Sequence, residues 1–216
     1  QYSVVKNGTI IQGQDNGTWG HGVAARDTND ITITNLSITV AGANSSAIYG
    51  WTCEDWLITD NDLTSNVGTI TSRDQLHGAV ISLVGGTISR NTINNGPHAG
   101  IIALYGNSTI DNNTIQLTTK YSNAFAIFAN NGSEVHHNII NCGSGQYSSR
   151  GIYCNDKSEE LTRIHHNTIT VQGTTDNQEY GGAMPGGAYG IQLESGKNIE
   201  VYENTVTAIA NETEAY

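Results

Sequence analysis

Two stretches, Val135-His136-His137-Asn138-Ile139-Ile140 and Ile164-His165-His166-Asn167-Thr168-Ile169, carry one design 29 residues apart. Each reads apolar, two variable positions, asparagine, one variable position, apolar. The design recurs as Ile58-Thr59-Asp60-Asn61-Asp62-Leu63, Ile88-Ser89-Arg90-Asn91-Thr92-Ile93, Ile110-Asp111-Asn112-Asn113-Thr114-Ile115 and Val201-Tyr202-Glu203-Asn204-Thr205-Val206. A shifted copy, Ile33-Thr34-Asn35-Leu36-Ser37-Ile38, comes first. From Asn61 onward the asparagines are spaced 30, 22, 25, 29 and 37 residues apart. Self-similarity on that scale marks a repeat architecture.

Ahead of each copy stands a small residue followed by a short apolar run, as in Gly22-Val23, Ala47-Ile48, Gly78-Ala79, Gly100-Ile101, Ala126-Ile127, Gly151-Ile152 and Gly190-Ile191. Each repeat thus holds two or three very short strands and no apolar periodicity of helix length. Such a unit cannot bury its own apolar face. Stacking at about 4.8 Å per repeat would bury a continuous core of Ile, Val and Leu. The recurring asparagine then suits an internal ladder, identical amides bonding along the stack. Spacing varies because connecting loops vary while strands keep register. The expectation is one all-β solenoid of about seven rungs over residues 1–216.

Composition agrees. Charged residues make up only 13% of the chain, so its surface must be built largely from Asn, Thr, Ser, Gly and Gln. Net charge is −11, and the nine basic residues form no cluster, which argues against nucleic acid as a partner. An anionic partner would need a local basic site or a bridging ion, with calcium the candidate. No apolar run approaches the length of a membrane span. Three cysteines, Cys53, Cys142 and Cys154, leave at least one unpaired and do not fix the redox compartment. Neither residues 2–5 nor residues 211–216 read as an amphipathic cap. The solenoid ends therefore call for flanking domains or a second copy in a homo-oligomer.

The repeats resemble those of the right-handed parallel β-helix superfamily, which includes pectate, alginate and chondroitin lyases, glycosidases, epimerases, NosD-like proteins and phage tailspikes. The likeness runs over about residues 8–206. It implies the fold, and it implies a secreted, extracellular protein that meets polysaccharide. It does not imply one activity. Gly20-His21-Gly22 matches a fragment of the polygalacturonase-like glycosidases, but nothing upstream supplies the aspartate pair found there.

Alternation along the first strand of each repeat predicts Ile101, Ile127, Ile152 and Ile191 inward. It places Tyr49, Val80, Ile102, Phe128, Tyr153 and Gln192 outward in one column. Ser82, Leu104, Asn130, Asn155 and Glu194 would form a parallel column. An outward row with Ile102, Phe128 and Tyr153 suits stacking on sugar rings, or cover by a loop of the same chain. Loops counted between repeats hold 15, 7, 11, 11 and 21 residues, so the two long ones would wall a groove over that row. Arg73, Asp74, His77, His98, Lys120, Tyr121, Arg150, Asp176, Glu179 and Tyr180 would line it. Eliminating a uronate needs a cation for the carboxylate and a base for the C5 proton, roles that Arg73, His77, His98, Lys120 and Arg150 can fill. Hydrolysis needs two carboxylates across the bond, and no pairing is fixed by the sequence.

Paired histidines at one repeat position, with His136 and His165 on consecutive rungs, offer an imidazole metal site. Three functions stay open: a lyase or related polysaccharide-active enzyme, a non-catalytic adhesin or glycan-binding module, and a NosD-like metal-handling protein.

Overall fold

The computed structural model describes residues 2–13, 20–41, 45–65, 79–83, 85–96, 98–103, 107–119, 124–130, 132–144, 148–155, 159–173, 187–194 and 197–209. These residues form a parallel β-helix of seven rungs preceded by one further strand.

The first side of the rungs is a seven-stranded parallel sheet. In chain order it contains β2 (Val23–Arg26), β4 (Ile48–Trp51), β7 (Ala79–Leu83), β10 (Ala99–Ala103), β13 (Ala124–Ala129), β16 (Ser149–Cys154) and β19 (Ala188–Leu193). The second side contains β5 (Trp56–Thr59), β8 (Gly86–Ser89), β11 (Ser108–Asp111), β14 (Glu134–His136), β17 (Thr162–His165) and β20 (Ile199–Tyr202). The third contains β6 (Asp62–Ser65), β9 (Thr92–Asn94), β12 (Thr114–Thr119), β15 (Ile139–Ser144), β18 (Thr168–Gln172) and β21 (Thr205–Ile209). In the first rung a single strand, β3 (Ile31–Val40), runs through both of these sides and joins them into one sheet, with β1 (Ser3–Gln12) paired beneath it.

The corner between the second and third sides repeats residue by residue. Asn7, Asn35, Asp60, Arg90, Asn112, His137, His166 and Glu203 all adopt left-handed backbone, with φ between 52° and 59°. Asn, Asp and His are enriched in that conformation. The next position points inward. Asn61, Asn91, Asn113, Asn138 and Asn167 are all 3% exposed or less. Each side-chain Nδ2 of these donates to Oδ1 of the asparagine one rung on, at 2.9–3.0 Å, ending on Asn204. Each backbone N–H donates to the same oxygen, at 3.0–3.1 Å. The expected ladder is therefore present, with both lone pairs of the amide oxygens of Asn91, Asn113, Asn138, Asn167 and Asn204 used. The shifted first copy ends it: Leu36 takes the ladder position, and only its N–H bonds onward, to Asn61 Oδ1 at 3.0 Å.

Inside lie stacked Ile33–Ile58–Ile88–Ile110–Val135–Ile164 and Ile38–Leu63–Ile93–Ile115–Ile140–Ile169, none more than 1% exposed. At about 25 cal/mol per Å² of apolar surface, such columns supply the main driving force.

One register differs from expectation. Ile81, not Ala79, is the partner of Ile101, and Ser82, not Val80, lies beside Ile102. Val80 is fully buried in the core. A small residue followed by an apolar run fits residues 78–83 in two registers. Stacking of Ile81 between Ile48 and Ile101 selects one.

Candidate functional site on the outer face

The first side does not alternate strictly. It bends, so that two consecutive residues face the core. Ala126 and Ile127 both do so, leaving Phe125 and Phe128 pointing away. In Gly151 and Gly190 the first of these inward positions has no Cβ. One at Gly151 would lie 2.5 Å from both the Gly190 carbonyl oxygen and an Ile169 methyl. The bend produces two outward columns three residues apart. One holds Ala79, Ala99, Phe125, Arg150 and Tyr189. The other holds Ala24, Tyr49, Ser82, Ile102, Phe128, Tyr153 and Gln192. Asn130, Asn155 and Glu194 follow as a third. Phe125 and Tyr189 escape a reading of strict alternation. The spacing of Phe125 to Phe128, Arg150 to Tyr153 and Tyr189 to Gln192 was the signal for them.

Arg150 sits at the centre. Its guanidinium lies 4.8 Å from the centre of the Phe125 ring, 5.6 Å from Tyr189 and 5.8 Å from Tyr153. Its Nε donates to Gln192 Oε1. Its Nη1 is buried and has no hydrogen-bond partner among the described residues. Burial pulls the guanidinium below its ordinary pKa, yet arginine stays a cation. An unpartnered buried donor on a cation is costly unless an anion or water meets it. Beside it, Tyr153 donates to Glu194 Oε2, and Asn155 Nδ2 approaches the same phenol at 3.3 Å. Burial, and then the bond to Glu194, holds the phenol above its ordinary pKa. Asn155 Oδ1 is likewise buried without a partner among the described residues. The Asn155 N–H donates to Asn130 Oδ1 at 2.8 Å. His98 packs its edge against Phe125 with ring centres 4.9 Å apart.

The structure thus gathers Arg150, His98, Tyr153, Asn130, Asn155, Gln192 and Glu194 on one patch. Ile102 and Phe128 belong to the same face, but they are no open floor: they are 0% and 5% exposed, in a second apolar cluster with Phe125 and Tyr153. Tyr49 stands apart, four rungs and about 19 Å from Tyr153. It stacks on His21 at 4.4 Å and lies 6.4 Å from Trp51. With Ala24, Ala25 and Arg26 these three line a concavity of about 580 Å³. Arg73, Asp74, His77, Leu104, Lys120, Tyr121, Asp176, Glu179 and Tyr180, with the loops expected to wall the groove, lie outside the described residues.

Metal ligation across rungs by His136 and His165 does not fit the geometry. Their rings stack face to face, 5.1 Å apart and 6° from parallel, so their ring nitrogens point side by side instead of converging. Among the described residues, no three His, Cys, Asp or Glu side chains converge on a point. Cys53, Cys142 and Cys154 are all buried.

A family model described as the right-handed beta helix region matches residues 21–206. No curated protein and no solved structure gives a significant match.

Proposed function

Because the chain belongs to the right-handed β-helix family, we propose that it acts on a uronate-containing polysaccharide outside the cell, laid across the outer face at Arg150. The observation that carries the reading is the buried Nη1 of Arg150, a cationic donor without a hydrogen-bond partner among the described residues, beside aromatic rings. A carboxylate matches it in charge and geometry. Tyr189, 42% exposed, offers an adjoining apolar surface for a sugar ring. Of the described residues in the three outward columns, Glu194 is the sole carboxylate, which favours elimination over two-carboxylate hydrolysis.

In that reaction Arg150 holds the uronate carboxylate and steadies the charge that develops as the C5 proton leaves. The Tyr153–Glu194 pair takes that proton. The C4–O bond breaks, its electron pair leaves with the departing sugar oxygen, and the proton follows to that oxygen. The products are a 4,5-unsaturated uronate and a new reducing end. Calcium is the ion to include, as a bridge between acidic sugar and acidic protein.

The test incubates the chain, with and without calcium, with alginate, pectate, glycosaminoglycans and neutral glucans. Absorbance of unsaturated uronate and new reducing ends are read together. Both rising on an acidic polymer is the expected result. Arg150→Gln should then lower kcat/KM by about 10- to 100-fold, the worth of a charged hydrogen bond. Unchanged turnover in Arg150→Gln removes this site, and reducing ends without absorbance make the chain a hydrolase.

A second, non-catalytic reading has its own support in the concavity of His21, Tyr49 and Trp51. Trp51 there is 37% exposed, and stacked aromatic rings hold sugars without chemistry. Binding of a polymer with no turnover, weakened by Trp51→Ala, would favour it.

A further inference from the structure

The left-handed corner does something to the histidine pairs that their sequence spacing conceals. His165 ends β17, and His166 follows it with φ 54°. That backbone turns the second ring back toward the first, leaving the two Nδ1 atoms 2.8 Å apart. One rung earlier, His136 and His137 repeat the arrangement at 2.9 Å.

The opposite edges of the rings fix the protons. His165 Nε2 lies 3.1 Å from Glu134 Oε1, and His166 Nε2 lies 2.7 Å from Glu203 Oε2. A carboxylate only accepts, so both rings carry a proton on Nε2. In the neutral rings both Nδ1 atoms then present bare lone pairs to each other, and those repel at 2.8 Å. A positive charge between them relieves this, either a shared extra proton or a metal ion. Carboxylates behind the far nitrogen are also the usual outer support of metal-bound histidine, fixing the tautomer and raising basicity.

Distance selects the ion. With metal–nitrogen bonds of about 2.0–2.1 Å, a 2.8 Å separation subtends roughly 85–90° at the metal. Tetrahedral ligation would want about 109°, or nitrogens roughly 3.3 Å apart. Near 90° is the angle between neighbouring ligands of tetragonal copper(II) or nickel(II). The His165 side chain is 11% exposed and His166 42%, so the pair meets solvent on one side.

We infer that each histidine pair chelates one tetragonal divalent ion, copper(II) foremost, through its two Nδ1 atoms, with water completing the coordination. The pair backed by Glu134 and Glu203 is the stronger site. The pairs stack about 5 Å apart, so the first ion bound repels the second and the two sites fill in sequence.

The experiment titrates copper(II) alone into the full chain, carrying no affinity tag, by calorimetry at pH 7.5 in a non-coordinating buffer. Electron paramagnetic resonance of the first equivalent is recorded alongside. The expected result is one tight equivalent and one weaker, with nitrogen hyperfine coupling from two imidazoles in the first. His165→Ser with His166→Asn borrows the residues found at this corner in Ser89 and Asn112, and melting checks the fold. It should weaken the tight equivalent at least 100-fold. If that variant unfolds, His166→Asn alone keeps His165 and still removes the chelate, with the same loss expected. No copper uptake, equal affinity in the folded variant, or a spectrum without two-imidazole coupling overturns the inference.

Discussion

Asn138 is bonded on every side in the ladder's middle. Its Oδ1 accepts from the Asn113 N–H and Nδ2, while its own N–H and Nδ2 reach Asn167 Oδ1 and Nδ2 also reaches the Ile110 and His136 carbonyls, all within 3.0 Å. Replacing it by Ala strands two donors of Asn113 and the Ile110 carbonyl in a dry interior. At roughly 1–3 kcal/mol for each orphaned group, the loss is about 3 kcal/mol or more. Asn204, at the far end, passes nothing onward among the described residues, and its loss strands the same kinds of group, two donors of Asn167 and the carbonyls of Ile164 and Tyr202, but at part-buried or exposed positions that water can reach. It is also the more exposed of the two. Asn204→Ala should therefore cost about 1 kcal/mol. Urea midpoints of the two variants measure this. Equal losses would mean that the ladder contributes little beyond its packing.

At the scale of the strand, the inner face decides how cysteines behave. Cys142 on β15 points inward between Leu117 and Val171, its Cα partners on the neighbouring rungs. Burial pushes its thiol up to about 12. Cys154 on β16 and Cys53 are as deeply enclosed. A buried, protonated thiol is a poor nucleophile. A disulfide-exchange reagent should leave the native chain untouched over minutes and label all three cysteines once guanidinium unfolds it. Rapid labelling in native buffer would show that the rungs open locally. The same strands explain the outer patch. The bend that turns Ala126 and Ile127 both inward sets Phe125 and Arg150 beside Phe128 and Tyr153. It is what brings a guanidinium over an aromatic ring.

For the whole molecule, among the described residues the strands of each rung pair only with those of the rungs before and after it, so stability is close to a sum of rung and interface contributions. Deleting residues 92–113, one repeat from Asn91 to the next ladder asparagine, would join Asn91 to Thr114. Thr114 already lies over Thr92 in register. The shortened chain should fold, keep its β circular dichroism and lose about 4.8 Å of length by X-ray scattering. An unfolded product would show that the rungs are not interchangeable, with the outer cluster of Ile102, Phe125 and Phe128 the element that cannot be spared.

The repeated asparagine and the apolar positions around it were enough to determine the solenoid, its seven rungs and the ladder. Period and residue type encode stacking directly, since one side chain must meet its own kind on the next rung. The register of residues 79–83 was not legible, because local pattern allows two alignments and only Ile81 between Ile48 and Ile101 separates them. Tyr153 and Glu194 could be named from sequence as residues of an outward face, and Arg150 as a loop residue lining the groove, whereas it stands on β16 itself. Their meeting with Phe125 and Tyr189 needed the bend, which alternation alone does not foresee. The histidines show the same division. Sequence placed His136 and His165 in one column and suggested ligation along the stack. The tertiary structure stacks those rings in parallel and turns His137 and His166 toward them instead. Backbone handedness at a corner directs a side chain, and spacing along the chain carries no record of it.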